Sequence, residues 1–139
     1  MIEDRPFIDI VSKKWGYEKI IVNDDKYCGK LLHIVKGKNT SLHYHKTKDE
    51  TFYIHSGKLK VYYTDDMKKA NRVVGEGILN PNTGVIIPPL HLLESVTLHA
   101  GDAFRVMPER VHQLYAVEDV VLYEFSTKHA EEDTVRLIK

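Results

Sequence analysis

Four residues of the sequence have the chemistry and the spacing of a metal site. His43 and His45 are two residues apart in a stretch that reads as a β-strand, so both imidazoles project from the same face. A short turn follows, and Glu50 stands at the start of the returning strand. Two imidazoles and a carboxylate can therefore meet at one point. His112, which opens a later strand after a proline-bearing turn, supplies a fourth candidate ligand.

The composition of the chain limits the classes of protein to which such a site can belong. The chain has 139 residues, of which 42% are hydrophobic, which is enough for one core and one domain. Lys and Arg number 20, as do Asp and Glu, so the formal net charge is +0 and no basic surface attracts nucleic acid or anionic lipid. We expect neither a nucleic-acid nor a membrane partner.

The single cysteine limits the possible metal ligands, and the lack of a signal-peptide core indicates the cellular location to expect. Cys28 alone allows no intrachain disulfide and no Cys-only zinc site, so His, Asp or Glu must hold any metal. The N-terminal residues show no signal-peptide core, and no later stretch approaches a membrane span. A cytoplasmic location is therefore expected, and Cys28 is interpreted as a structural residue.

The elements that must position these ligands are predicted to be strands. Short alternating apolar runs bounded by Gly, Asn, Asp and Pro recur along the chain, and no window shows long helical periodicity. Many short strands in one small domain are typical of an antiparallel sandwich or barrel. The predicted strands are Lys19–Val22, Tyr27–Val35, Thr40–His45, Thr51–Ser56, Lys58–Thr64, Val85–Ile87, Glu94–Leu98, Ala103–Met107, Val111–Val117 and Val120–Ser126.

One long segment interrupts this strand pattern. Residues 65–89 are polar and rich in Gly, Asn and Pro. Such a segment predicts either a lid or elaborated hairpin, or a solvated surface loop without a role.

The two histidine segments resemble the two motifs of the cupin superfamily. The first has the form H-x-H, four residues, E, six residues, G, and ends at Gly57; the second has G, six residues, P, three residues, H, and starts at Gly101. The resemblance implies an all-β fold, a single small antiparallel β-barrel of the jelly-roll type, also called a double-stranded β-helix. The single cupin domain would cover residues 1–139, with N-terminal strands in 1–36, motif one in 37–57, the inter-motif excursion in 65–89, motif two in 101–117, and the closing strand and tail in 118–139.

The resemblance also implies a cofactor. His43, His45, Glu50 and His112 would hold one divalent transition metal, and three nitrogens with one oxygen suit Mn, Fe, Ni, Co or Zn. A homodimer is expected by the same resemblance, and the N-terminal apolar stretch Pro6–Val11 is a candidate for strand exchange between subunits.

The flanking segments are similar to type II mannose-6-phosphate isomerases and related sugar isomerase-like cupins. Residues 14–18 (KWGYE) resemble the entry of that cupin domain, and residues 122–127 and 131–136 resemble its closing strand and acidic segment. Lys48 stands where that family usually has Arg, and the turn before Glu50 is two residues longer, closer to D-lyxose isomerases. With 139 residues we expect a cupin domain alone, without the nucleotidyltransferase domain that often precedes it in that family. The resemblance implies aldose–ketose isomerisation of a sugar or sugar phosphate through an enediolate.

Four further residues are candidates for that chemistry. Lys48 is predicted to be the cationic or proton-transfer residue, with a pKa lowered by metal and burial, or else a solvated turn lysine. Glu124 lies in an apolar strand, as a second acid/base or as the partner of Arg105 or Arg136 in an ion pair. Arg105 also interrupts an apolar strand, and Arg136 can hold a phosphate bidentately, so both are candidates for binding substrate.

Other readings of the same residues stay open. An iron-dependent dioxygenase or lyase can use the same four ligands, and a sugar-binding cupin can use them without catalysis. Trp15 and Tyr17 are expected to cap the barrel or pack at a subunit contact. The remaining histidines fit no ligand position and are interpreted as packed or surface residues: His33, His55, His91, His99 and His129.

Overall fold

A computed structural model describes residues 9–139, which form thirteen strands and one α-helix with two 3-10 turns at Leu90–Leu92 and Glu131–Asp133. The elements in chain order are β1 (Asp9–Lys13), β2 (Gly16–Asn23), β3 (Cys28–Ile34), β4 (Leu42–His45), β5 (Glu50–Ser56), β6 (Lys58–Thr64), α1 (Met67–Gly75), β7 (Ile78–Leu79), β8 (Ile86–Ile87), β9 (Glu94–His99), β10 (Ala103–Val106), β11 (Val111–Ala116), β12 (Val120–Ser126) and β13 (Thr134–Ile138).

Two antiparallel sheets make the body of the fold. One has the strand order β1-β2-β3-β12-β5-β10, and the other has the order β13-β4-β11-β6-β9. The main core draws buried residues from both sheets, such as Ile54 and Leu122 from the first and Val61 and Leu114 from the second. The all-β prediction is confirmed, and the architecture is a jelly roll of two sheets rather than one closed barrel.

The inner face of the six-stranded sheet changes character along its length. Every second side chain of β3, β5 and β12 is buried, as the two-residue period of a strand requires. At one end these inward residues are apolar, and Ile34 pairs with Val120 there. Towards the other end they are Lys30, Glu50 and Glu124. The same strands therefore build the core at one end and a charged interior at the other.

Several elements differ from the sequence prediction. Residues 65–89 contain α1 and the hairpin β7–β8. The Asp66 side chain caps α1 by accepting a hydrogen bond from the Lys68 backbone N–H. The buried residues of α1, Ala70 and Val73, share one face, but nine residues are too few for a long helical repeat. Strand β13 was not predicted, because it is a sheet edge with weak apolar alternation. Strand β1 overlaps the expected N-terminal strand Pro6–Val11 in residues 9–11. Within the candidate exchange segment, residues 6–8 lie outside the described residues, and β1 pairs with β2 of its own chain.

None of the helices in residues 9–139 combines the length and the apolar character that crossing a membrane requires.

The turn between β1 and β2 depends on Gly16. A Cβ added there would lie 1.9 Å from the His33 carbonyl oxygen, and φ is +148°. We expect Gly16→Ala to destabilise the protein by at least about 2 kcal/mol, because the backbone of β3 must move. Urea unfolding measures this loss. Gly75→Ala is the matched control, since a Cβ there meets nothing within 4 Å; equal losses for the two variants would contradict the prediction.

Candidate metal centre and cavity

Strand register brings three histidines together. β4 lies between β11 and β13, and His43 on β4 is directly opposite His112 on one side and Arg136 on the other. One ring nitrogen from each of His43, His45 and His112 lies within 4.8 Å of those of the other two. These three side chains, predicted from two separate sequence segments, thus converge on one point.

Hydrogen bonds to Nδ1 orient the three imidazoles. The Nδ1 atoms of His43 and His112 lie 3.0 and 2.9 Å from the backbone carbonyls of Ser41 and Arg110. A carbonyl only accepts, so His112 Nδ1 carries the proton and its Nε2 presents a lone pair. His43 Nδ1 lies 2.9 Å from the Ser41 hydroxyl as well, which holds this ring from a second atom of the same residue. His45 Nδ1 lies 3.0 Å from the Thr134 hydroxyl. Such outer contacts are the ones that hold histidines for metal binding.

Glu50 presents an oxygen that lacks a hydrogen-bond partner. Its Oε2 lies 3.0 Å from His45 Nε2 and 3.5 Å from His112 Nε2, yet it makes no hydrogen bond in the described part of the chain, although it is fully buried. The Nε2 lone pair of His112 and the Glu50 oxygen are two acceptors that face each other without a donor, which is costly unless a cation is shared between them. The donor set therefore fits a divalent metal ion.

The protonation states also suit a metal. Desolvation lowers the pKa of His43 well below 6.5 although part of its ring faces a cavity, and neighbouring His112 and His45 lower it further. Burial likewise lowers the pKa of His112. Burial alone would raise the pKa of Glu50, but the proximity of His45 and the charge of Lys48 lower it below its usual range. Neutral imidazoles beside an ionised carboxylate are the forms that bind metal.

Lys48 and Glu124 form a buried ion pair beside this cluster. Lys48 Nζ lies 2.7 Å from Glu124 Oε2 and 3.8 Å from Glu50 Oε1, and Lys48 is 2% exposed. The interpretation of Lys48 as a solvated lysine is therefore wrong. Burial lowers the pKa of Lys48, but the charges of Glu124 and Glu50 outweigh burial and raise it. The ion-pair partner of Glu124 is thus Lys48, not an arginine.

His129 was interpreted as a packed or surface residue, but it joins the site. Its Nδ1 lies 3.0 Å from Lys48 Nζ, and its Nε2 lies 3.1 Å from Glu131 Oε2. An ammonium only donates, so Nδ1 accepts and Nε2–H donates to Glu131. Burial and the charge of Lys48 lower the pKa of His129 to about 4, which agrees with a neutral ring. No local signal marked His129, because its contact with Lys48 spans 81 residues of sequence.

The acidic C-terminal segment closes one side of the site. Asp133 accepts hydrogen bonds from the Thr47 backbone N–H and hydroxyl and from the Lys48 backbone N–H. Glu131 accepts from Arg136 Nη2 at 2.6 Å as well as from His129. The segment therefore fixes the turn that carries Lys48 and links Arg136 to the buried ion pair.

A cavity of about 350 Å³ opens over the cluster. The four predicted ligands line it together with Lys48, Glu124, Arg136 and Trp15, so Trp15, which also packs on the core, faces the site. Arg105 is not among the lining residues: it is 62% exposed and paired with Asp49 at 2.6 Å on the outer face of β10. The position of Arg136 in the cavity lining therefore supports its predicted substrate role. The position of Arg105 does not support the same role for that residue.

No protein-family model matches the sequence, and no curated protein is significantly similar to it. Solved structures share its architecture. The capsular polysaccharide assembling protein CapF from Staphylococcus aureus matches with a TM-score of 0.65 and 15% identity, over 96% of this chain and 35% of CapF. KdgF from Halomonas sp. matches with a TM-score of 0.61 and 16% identity, over 95% and 94%. The chain has the cupin fold.

A third cupin structure concerns a metalloenzyme. Oxalate decarboxylase from Bacillus subtilis, described with Mn(II) centres, matches with a TM-score of 0.64 and 17% identity, over 94% of this chain and 30% of that one. This chain spans about a third of the CapF and oxalate decarboxylase chains and almost all of KdgF. At such identities the likeness establishes the fold, and the chemistry must be argued from the site.

Proposed function

We propose that this cupin is a metal-dependent enzyme that isomerises a small sugar or sugar phosphate between aldose and ketose through an enediolate. The observation that carries the proposal is the buried carboxylate–ammonium pair in the cavity wall, which lies beside three histidines that could hold a metal ion. The cavity volume lies at the small end of ligand pockets, which suits a monosaccharide. Two proteins of the same fold, the capsular polysaccharide assembling protein CapF and oxalate decarboxylase with its Mn(II) centres, lend further support.

His43, His45, Glu50 and His112 would hold the metal, with Mn, Fe, Ni, Co and Zn all compatible with three nitrogens and one oxygen. A bound divalent ion would polarise substrate oxygens and stabilise negative charge that develops on them. The protein's own residues must orient the sugar and move the proton between its two carbons.

Glu124 is the proposed acid/base. Its Oε2 accepts hydrogen bonds from Lys48 and from the Ser126 hydroxyl at 2.9 Å, which holds the carboxylate in one orientation at the cavity wall. Burial and the charge of Glu50 raise its pKa, which favours a group that takes and returns a proton near neutral pH. Lys48 is the proposed cation: it holds Glu124 in place and stabilises negative charge on the substrate. Arg136, on the cavity wall, is the proposed substrate-binding arginine.

Glu124→Gln tests this assignment. In D₂O, NMR should show hydrogen–deuterium exchange at the carbons next to the carbonyl when the metal-loaded protein meets its substrate among a panel of sugars and sugar phosphates. We expect Glu124→Gln to slow this exchange at least about 100-fold, because the proton-transfer group is lost, and to leave metal content unchanged. Glu118→Gln, an exposed carboxylate in the turn before β12, should exchange like the parent.

The same assay separates the competing readings. Exchange that is unaffected by Glu124→Gln would remove Glu124 from the mechanism and leave isomerisation standing. Absence of exchange with every sugar, combined with bound iron and oxygen uptake or with release of CO₂, would replace the isomerase by a dioxygenase or a lyase. Sugar binding without any turnover would indicate a non-catalytic cupin.

A further inference from the structure

Cationic side chains outnumber acidic ones around the cavity. Four acidic residues line it, and six cationic residues do: Lys13, Lys14, Lys30, Lys48, Arg136 and Lys139. The whole chain has a formal net charge of +0, so this excess is local and not a general property of the surface. A cleft lined by one sign of charge concentrates ligands of the opposite sign.

The more buried cationic residues of the cavity lining are each paired with a carboxylate. Lys30 lies 3.5 Å from Glu18, Lys48 lies 2.7 Å from Glu124, and the Arg136 guanidinium lies 2.6 Å from a Glu131 oxygen. In the described part of the chain, Lys13, Lys14 and Lys139 form no ion pair. The positive charge without a counter-charge therefore lies among the exposed residues of the cavity lining.

The turn that carries Lys13 and Lys14 is held against the body of the protein. The Trp15 carbonyl accepts a hydrogen bond from the Val35 N–H at 2.8 Å, and the Trp15 ring packs on the core. Gly16 allows the turn to approach the His33 carbonyl closely. The two lysines thus leave from a fixed backbone, which reduces the entropy lost when they close on a ligand.

We infer that the ligand carries an anionic group, a carboxylate or a phosphate, which Lys13, Lys14 and Arg136 hold at the cavity mouth. The inference rests on the proposed function of the same site and narrows its substrate class to sugar acids and sugar phosphates. Arg136 contributes because a guanidinium has five N–H donors and its ion pair with Glu131 leaves others to bind an oxyanion. Neutral sugars would leave the lysine charges uncompensated and bind more weakly.

Binding of three matched probes tests the inference. D-glucose, D-glucuronate and D-glucose 6-phosphate differ in the group at one end and separate carboxylate from phosphate recognition. Titration calorimetry on the full chain, with and without Mn(II), should show at least one acidic probe binding at least about tenfold more tightly than glucose. Its affinity should fall as NaCl is raised, whereas that of glucose should not.

Variants in which the lysines are replaced by uncharged residues test whether the turn between β1 and β2 causes this preference. Lys13→Gln combined with Lys14→Gln should remove most of the preference for the acidic probe. Lys68→Gln combined with Lys69→Gln, the same charge change at exposed positions near the start of α1, should leave it intact. A preference that survives in the Lys13/Lys14 variant would overturn the inference, because the anion would then be held elsewhere.

Two outcomes distinguish this inference from the proposed function. Glucose bound as tightly as both acids would overturn anion recognition and leave a carbohydrate enzyme standing. Binding of none of the three probes by the Mn(II)-loaded protein would count against both.

Discussion

Replacing His112 with alanine is expected to lower the affinity for a divalent metal more than about 100-fold, beyond what the loss of an outer contact costs. His112 is 1% exposed, and its Nδ1–H is already given to the Arg110 carbonyl, so its Nε2 lone pair faces His43, His45 and Glu50. No neighbouring side chain can take its place without moving a strand. Calorimetric titration with Mn(II), followed by metal analysis after dialysis, measures the loss.

A histidine outside the cluster is the control for this experiment. His99→Ala removes an exposed imidazole at the end of β9 and should leave metal affinity unchanged. Retention of one metal per chain by the His112 variant would contradict the site described above. Circular dichroism separates loss of the metal from loss of the fold, since the strands do not depend on the imidazole.

Replacing Lys48 with methionine is expected to destabilise the protein by about 3–5 kcal/mol, the usual result of removing one partner of a buried ion pair. Methionine has nearly the same length but leaves Glu124, which is 5% exposed, without its ammonium. It also removes the donor to His129 Nδ1 and the positive charge 3.8 Å from Glu50. Urea unfolding at neutral pH measures the effect.

A double variant and a surface control sharpen the result. Lys46→Met, two residues earlier in the same turn but exposed, should change stability by less than about 0.5 kcal/mol. Adding Glu124→Leu to Lys48→Met should recover a large part of the loss, because an apolar pair replaces the stranded carboxylate. If the losses in the free energy of unfolding caused by the two substitutions simply add in the double variant, the two residues do not act as a pair.

The local part of the site was open to prediction from sequence. His43 and His45 share a face because a strand repeats every two residues, and Glu50 and His112 follow turns marked by polar residues and Pro. Lys48 and Glu124 were both singled out, one for its place before Glu50 and the other as a carboxylate in an apolar strand. The short helix α1 escaped prediction because its nine residues are too few for a sustained helical repeat, although Ala70 and Val73 share its buried face.

Which of the charged side chains pair with each other could not be predicted from the sequence. Glu124 was matched to arginines, yet Arg105 pairs with Asp49 and Arg136 with Glu131, while Lys48 takes the buried carboxylate. All are plausible ion pairs by charge. The pairing of β12 and of β10 with β5 decides that Glu124 meets Lys48 and that Arg105 meets Asp49. His129 illustrates the same point. It follows β12 in the chain and meets Lys48 only because the C-terminal segment packs against the body of the fold.

The sequence by itself determined the strand-rich class of the fold and the positions of the candidate ligands, because both follow from short-range periodicity and turn chemistry. The tertiary structure decided the convergence of His112 with His43 and His45, the partner of Glu124, the inclusion of His129 and the placement of Lys13 and Lys14 in the cavity lining. These features depend on contacts between strands far apart in the chain, where burial and the neighbouring charge, rather than residue type, set what each side chain does.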